Sequence, residues 1–259
     1  MKVTAYKTPL IKKNDNLFEV IAHAIPTLPE RSIVVVSSKI IATCEDRFVP
    51  KQAGLDREAQ RAEKHDLVRQ EADLFTDPHS SKYDLMLTIK RNWMFVNAGL
   101  DESNADDHYL LWPRNPQQAA NDIWQFLRSH YGVSEVGVTI SDSSSMPLNW
   151  GVIGRGIAHC GFEALKSYIG KPDLYGRPMK MEQVNITQAV TVAGVLEMGE
   201  GSEQTPLAVV EEIRDVVFQD RVPTNQELAD LHIELEDDAY APILTKADWK
   251  KGGGGYKGS

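Results

Sequence analysis

Apolar positions recur along the chain with two periods, and the two periods predict most of its elements. "SIVVVSSK" (32–39) is an unbroken apolar run that reaches a polar end, as in a buried strand. "EVGVTISD" (135–142) alternates, placing Val136, Val138 and Ile140 on one face, and "PLAVV" (206–210) predicts a further strand. "YDLMLTIK" (83–90) and "WMFVNAG" (93–99) read as two strands joined across "RN" as a hairpin. The helical period appears in "NDNLFEVIAHAI", where Leu17, Phe18, Ile21 and Ile25 share a face and Asn14 or Asp15 is the expected N-cap. A charged helix is expected from Arg57 to Leu74. The clearest helix is "NPQQAANDIWQFLRSHYG", with Asn115 as cap, Pro116 at the first helical position and Gly132 as the stop. "NITQAVTVAGVLEMG" predicts another helix, and a short one starts at Thr224. Between these lie a glycine-rich stretch (151–161) and a turn at "KPDLYGRP" (171–178).

Loose alternation of strands and helices, with a hairpin among them, predicts an α/β (mixed α+β) protein. Mixed sheets with flanking helices are expected rather than a purely parallel Rossmann sheet. Residues 1–249 are expected to form one unit, with two interleaved subdomains as the alternative. "KKGGGGYKGS" (250–259) is expected to be a flexible tail.

Composition narrows the classes. With 259 residues, 42% of them apolar, the chain can bury a sizeable core, and a net charge of −9 disfavours a nucleic-acid partner. A nucleotide remains compatible, because a local cation decides its binding. Cys44 and Cys160 are too few for a disulfide framework and lack C-x-x-C spacing, which suits a reducing cytosol and argues against a zinc–thiolate site. No apolar run approaches the roughly 18 residues of a membrane span. A cytoplasmic protein without a membrane partner is expected.

Oxygen-bearing side chains gather at three predicted element ends: Asp101 with Asn104 in "NAGLDESN", Asp142 with Ser143 in "SDSSS", and Glu200 between two glycines in "MGEGSEQTP". Separate carboxylates brought together by a fold suit a hard divalent cation, magnesium or manganese. Glycines beside Glu200 let backbone N–H groups approach a phosphate. Each acid taken alone also reads as a strand-end cap or solvated turn. "GVIGRG" lacks the dinucleotide spacing, and no P-loop is present. Neighbouring His159 and Cys160 would point to opposite faces of a strand, so core packing is expected rather than a nucleophile pair. Trp124, Phe126 and Leu127 form a buried helix face, with Trp112 and Trp150 as further packing aromatics.

Taken in order, "VVVSSKIIATCEDR", "VNAGLDESN", "ISDSSSMP", "IAHCGFEALKSYIGKPDLYGR" and "MGEGSEQTPLAVV" resemble the gamma-glutamyl ligase family of the deazaflavin coenzyme, from about Lys7 to "YAPIL" (240–244). "IAHCGF", "GEGSEQTPLA" and "EDDAYAPIL" look closer to the branch assigned to folate metabolism. The resemblance implies a gamma-glutamyl-ligase-like fold, an intimate homodimer, and a ligase that uses GTP and Mn2+ or Mg2+. Such an enzyme joins the amine of L-glutamate to an acceptor carboxylate through an acyl phosphate.

By position, the resemblance assigns Asp101 and Asp142 to one metal, and Ser143, where the family usually has Thr, and Glu200 to a second. It assigns Lys7, Thr8, Pro9, Leu10, Ser38, Lys39, Asn104, Met198, Gly199, Gly201, Ser202, Glu203, Gln204 and Thr205 to the nucleotide. Lys39, as a charge at the phosphates, and Arg177, holding a glutamate or acceptor carboxylate, are the implied catalytic residues. "DSSSMPLN" (142–149) departs from the family's "DTFGRPWR" by two arginines and an aromatic, and Thr43 stands in place of a second lysine. Arginine is the natural clamp for phosphate. Its loss favours a folate-like or pterin-type acceptor, leaving Arg155 or Arg177 as substitutes. The alternatives are ligation on the deazaflavin precursor and a non-catalytic nucleotide-binding regulator.

Overall fold

The most apolar run of the sequence becomes the middle strand of the largest sheet, and the other elements are arranged around it. The structure is a computed structural model and describes residues 1–256. In chain order its elements are β1 (Lys2–Tyr6), α1 (Leu17–Ala24), β2 (Ser32–Ser37), α2 (Ser38–Cys44), β3 (Phe48–Pro50), α3 (Arg57–Glu71), β4 (Leu74–Phe75), β5 (Leu87–Lys90), β6 (Trp93–Val96), β7 (His108–Leu110), α4 (Pro116–Tyr131), β8 (Val136–Ser145), β9 (Val152–Cys160), β10 (Leu165–Ser167), β11 (Gln183–Asn185), α5 (Ile186–Met198), β12 (Leu207–Glu211), α6 (Asn225–Ala229), α7 (Ala241–Leu244) and β13 (Lys250–Lys251).

The main sheet has the order β1-β12-β2-β8-β9, antiparallel throughout except for the parallel pair β2–β8. β2 is covered on both faces, which is why it carries no polar alternation. Val34 and Val36 pack with Ile21 and Ile25 of α1 and Trp124 and Leu127 of α4. On the other face Val35 packs with Val195 of α5. A smaller sheet, β13-β4-β5-β6, carries α3 through Val68 and Ala72 against Phe75 and Met86. Phe95 of β6 belongs to the main core, so the two sheets share packing. The mixed α/β architecture with flanking helices agrees with the sequence pattern.

Several boundaries shift for local reasons. Asn16, rather than Asn14 or Asp15, caps α1, because its side-chain oxygen reaches Phe18 N–H at 3.0 Å. α3 stops at Glu71, since Leu74 and Phe75 pair with Ile89 and Thr88 in the small sheet. β5 begins only at Leu87, after a turn in which Asp84 holds a φ of 53°. The expected hairpin is present, with Arg91 and Asn92 both left-handed (φ 50° and 63°) as a two-residue turn requires. The polar end of "SIVVVSSK" is the start of helix α2, capped by Ser37.

The glycine tail, expected to be flexible, is ordered over its described part. β13 pairs with β4, and the N–H groups of Gly253, Gly255 and Gly254 donate to Arg69, Gln70 and Ala72 carbonyls at the C-terminal end of α3, each at 2.9 Å. A methyl group at Gly252 would lie 2.2 Å from Ala72 O, so the missing side chain permits the contact. The expectation for residues 257–259 lies outside the described residues. No described helix is long and apolar enough to cross a membrane.

Candidate active site

β2 ends at Ser37 opposite Ser141, while β8 runs on to Ser145 beside β9, and the oxygen-rich motifs meet beyond the end of β2. The Ser37 hydroxyl accepts from Lys39 N–H at 3.3 Å, which starts α2 at once and buries Ser38. Lys39 then reaches the "NAGLDESN" loop: its Nζ lies 2.5 Å from Asp101 Oδ2 and 3.4 Å from Ser103 Oγ. Ser103 fixes the other carboxylate oxygen, donating to Asp101 Oδ1 from its N–H at 2.9 Å and its hydroxyl at 2.7 Å. Oδ2 is buried without a hydrogen bond of good geometry, although it is ion-paired. Burial pushes Asp101 upward, but Lys39 and Ser103 together hold it below the ordinary carboxylate value.

Local backbone conformation explains why "NAG" precedes this acid. Asn97, Ala98 and Gly99 are all left-handed, at φ 53°, 55° and 70°, and turn the chain sharply out of β6. Two buried hydrogen bonds hold the turn: Met86 N–H to Asn97 Oδ1 at 3.1 Å and Ala98 N–H to Thr88 Oγ1 at 2.8 Å. The turn returns Asp101 alongside Leu110. At Gly99 a methyl group would lie 2.0 Å from Trp112 Nε1, so the glycine makes room for the indole.

That indole matters because its Nε1–H donates to Asp142 Oδ2 at 2.6 Å. Ser143 N–H donates to Asp142 Oδ1 at 2.9 Å. Burial nevertheless dominates and raises the Asp142 carboxyl to about 6; the Trp112 and Ser143 bonds oppose it only in part. Consecutive strand residues alternate faces. Asp142 therefore meets Trp112, while Ser143 turns to the α5 side and donates to Glu200 Oε1 and Oε2 at 2.9 and 2.6 Å.

The segment Met198–Thr205 forms a tight loop. Thr205 Oγ1 donates to Met198 O, and the Glu203 carboxylate accepts from Gly201 N–H at 2.8 Å. Asn104 Nδ2 reaches Gly201 O at 3.5 Å, joining this loop to the Asp101 loop. Thr8 is buried and donates its N–H to Gln204 O at 2.9 Å, so Lys7, Pro9 and Leu10 run along the same loop with exposed side chains. Ser202, Glu203 and Gln204 are exposed.

The fold thus brings together Ser38, Lys39, Asp101, Asn104, Asp142, Ser143, Glu200 and the Met198–Thr205 loop. Arg177 is not among them within one chain. It lies in the exposed turn 173–177, where its Nε donates to Asp173 Oδ2 at 3.2 Å. Trp150, expected in the core, is 94% exposed at the tip of the β8–β9 hairpin. His159 and Cys160 are buried as expected; burial lowers the imidazole to about 4 and raises the thiol to about 12. Sequence reasoning missed Ser103 as the bridge between Lys39 and Asp101, and Trp112 as the donor to Asp142. A buried tryptophan needs a partner for its N–H, and that requirement was the available signal.

Residues 5–212 match the family described as F420-0:Gamma-glutamyl ligase. The chain belongs to that family. Its reaction class is carbon–nitrogen ligation, and this chain is an enzyme of that class. Similar proteins include the coenzyme F420:L-glutamate ligase of Methanosarcina barkeri, 28% identical over 209 residues covering 78% of this chain and 81% of the relative. The enzyme of the same name from Archaeoglobus fulgidus is 29% identical over 209 residues, covering 78% of this chain and 83% of the relative. That of Methanopyrus kandleri is 37% identical over 128 residues, or 49% of this chain and 50% of the relative. The family match spans the cluster from Thr8 to Thr205 and leaves out residues 1–4 and the C-terminal elements after Glu212.

Proposed function

We propose that this enzyme joins L-glutamate, through its amine, to the carboxylate of an F420-0-type deazaflavin acceptor, using GTP and a divalent cation. The observation that carries the reading is the convergence of Lys39, Asp101, Asp142, Ser143, Glu200 and the Met198–Thr205 loop where β8 runs past the end of β2, in a chain of this family. The relatives' names favour the deazaflavin acceptor over the folate-like or pterin-type one that the missing arginines suggested. A purely regulatory nucleotide-binding role fits less well, because it gives the gathered carboxylates no task.

The residues present suit a hard cation. Asp101 Oδ2 is a buried oxygen partnered by the Lys39 ammonium alone, and Asp142 is a carboxylate that desolvation pushes up. Asp101 and Asp142 would hold one ion, and Ser143 and Glu200 a second; all offer oxygen donors. No group of three acidic, histidine or cysteine side chains forms a ready-made cage among the described residues, so nucleotide oxygens would complete the coordination. Bound Mn2+ or Mg2+ would neutralise charge on the transferred phosphoryl group.

The chain's own residues supply the rest. A free carboxylate is a poor electrophile, so the acceptor carboxylate first attacks the γ-phosphorus and GDP leaves. The glutamate amine then attacks the acyl phosphate carbon, an amide forms, and phosphate departs. Lys39 would place a positive charge next to the phosphates, and the Gly201 N–H would approach them closely, whereas Gly199 N–H closes α5 on Val195 O. Gly201 N–H donates to the Glu203 carboxylate, which a phosphate oxygen would replace. We assign the working form as a homodimer, as the family resemblance implies; Leu148, Trp150, Leu174 and Leu196 are 106, 94, 99 and 79% exposed, and a second copy would cover such side chains.

The test is thermal melting with GTP, ATP, Mn2+ and Mg2+, singly and combined, on wild type and Asp142→Asn, followed by incorporation of labelled glutamate into F420-0. Ligand at 100 times its Kd stabilises by about 2.7 kcal/mol. The expected result is a rise that needs nucleotide and metal together, is lost in Asp142→Asn, and accompanies glutamate transfer. No shift with any nucleotide, or transfer to a pteroyl acceptor instead of F420-0, overturns the reading.

A further inference from the structure

The β8–β9 hairpin carries a positive charge that no described side chain neutralises. Arg155 stands opposite Asp142 in the strand register, so the two side chains leave the sheet on the same face. Its neighbours Gly154 and Gly156 face α5 instead, where a methyl group would collide with Val195 and Thr187. On the Asp142 face the guanidinium lies 5.1 Å from the Trp93 ring centre and 5.2 Å from that of Phe95. One of its five N–H donors has a protein partner, Met94 O at 3.1 Å.

Arg155 is half-buried, and among the described residues no carboxylate lies within ion-pair distance of it. Burial makes the cation less favourable, and no neighbouring acid opposes that effect. Of the other buried or half-buried cations near the site, Lys39 is matched by Asp101, Arg47 and Lys90 by Glu71, and Lys51 and Lys64 by Glu102, whereas Arg91 in the β5–β6 turn donates to Arg114 O. The two aromatic rings lie within cation–π distance of the guanidinium and accept no conventional hydrogen bond from its remaining donors. A planar fork of free donors on the face of Asp142 has the chemistry of a carboxylate or phosphodiester clamp.

We propose that Arg155 recognises the oxyanion of one of the two substrates that the amide bond joins, and so fixes its orientation beside Asp142. The proposal rests on the reading that ligation takes place at the Asp142 cluster. The oxyanion has two sources, L-glutamate and the acceptor, and the test separates them. GTP is excluded as the source, because its phosphates belong with Lys39 and the Met198–Thr205 loop.

The experiment compares wild type with Arg155→Met, which keeps the length and apolar stem, and Arg155→Lys, which keeps the charge without the fork. KM and kcat are measured for GTP, L-glutamate and F420-0 separately. The expected result is a KM raised roughly ten- to hundred-fold for one substrate in Arg155→Met, with the KM for GTP and the melting temperature unchanged. Arg155→Lys should recover part of the loss. A shift for glutamate or for F420-0 names the source. Unchanged KM values for both, or a rise for all three substrates with a lower melting temperature, overturn the proposal and leave Arg155 as a packing residue. If wild type transfers no glutamate, the ligase reading fails by itself. Titration calorimetry of L-glutamate, F420-0 and inorganic phosphate onto wild type and Arg155→Met then decides. Binding lost with the guanidinium supports the clamp, and identical or absent binding overturns it.

Discussion

Gly99 and Trp112 show how little space the site leaves for error. Adding one methyl group at Gly99 forces a left-handed backbone on alanine and drives Cβ to 2.0 Å from the indole nitrogen. Gly99→Ala should therefore cost roughly 1–3 kcal/mol or more in urea unfolding and weaken the nucleotide-dependent melting shift. Trp112→Phe tests the same contact from the other side. It keeps the ring but removes the donor to Asp142 Oδ2, and should cost about 1–3 kcal/mol with a reduced response to Mn2+ and GTP. His159 sets a pH dependence independent of the site. The unfolded imidazole takes up its proton near 6.5, whereas burial delays protonation of the folded one to about 4. Stability from the neutral ring is therefore complete above pH 6.5 and declines as pH falls towards 4, by on the order of 3 kcal/mol. Unfolding free energies of His159→Leu should be flatter than wild type across that window. At this scale the acids were legible because carboxylates at element ends are conspicuous. Trp112 was not, because an apolar pattern records its ring and ignores its N–H.

Elements were legible where capping chemistry was unambiguous. α4 runs Pro116–Tyr131, with Asn115 accepting from Gln118 N–H at 3.1 Å and Gly132 left-handed at φ 67°, as its sequence required. α2 was hidden, because "SSKIIATC" continues the apolar run of β2, and only the Ser37 cap marks the change. The glycine segment misled for the opposite reason. Four glycines predict freedom, yet the lack of side chains lets the backbone lie directly on the end of α3. Replacing Gly252 and Gly253 by valine should lower the melting temperature by several degrees and speed hydrogen exchange in the last turn of α3 and in β4. The effect should also reach the site. Tyr256 lies under Arg47 at 5.8 Å, and Arg47 Nε donates to Trp112 O at 2.9 Å. Peptide mapping by mass spectrometry would show whether exchange rises around Trp112 as well.

Across the whole molecule, motifs far apart in sequence supply one cluster, and their order could be read while their distances could not. Adjacency placed Asp142 and Ser143 on opposite faces of β8, but nothing in the spacing revealed that Trp112 and Glu200 meet them there. Light scattering should give about twice the 28.9 kDa chain mass, and Trp150→Asp with Leu148→Asp should shift the population towards the monomer. The Lys39–Asp101 contact has a consequence at this scale. The ammonium serves as an internal counterion, so a cation arriving alone must displace it and leave it without a partner. A triphosphate arriving with the cation gives the ammonium a new one. Occupancy is then an exchange of partners, and the two ligands should bind with positive thermodynamic coupling, each tightening the other by the same factor. In Lys39→Met there is nothing to exchange. Calorimetry should find Mn2+ binding more tightly to that variant in the absence of nucleotide, with the cooperativity between metal and GTP diminished.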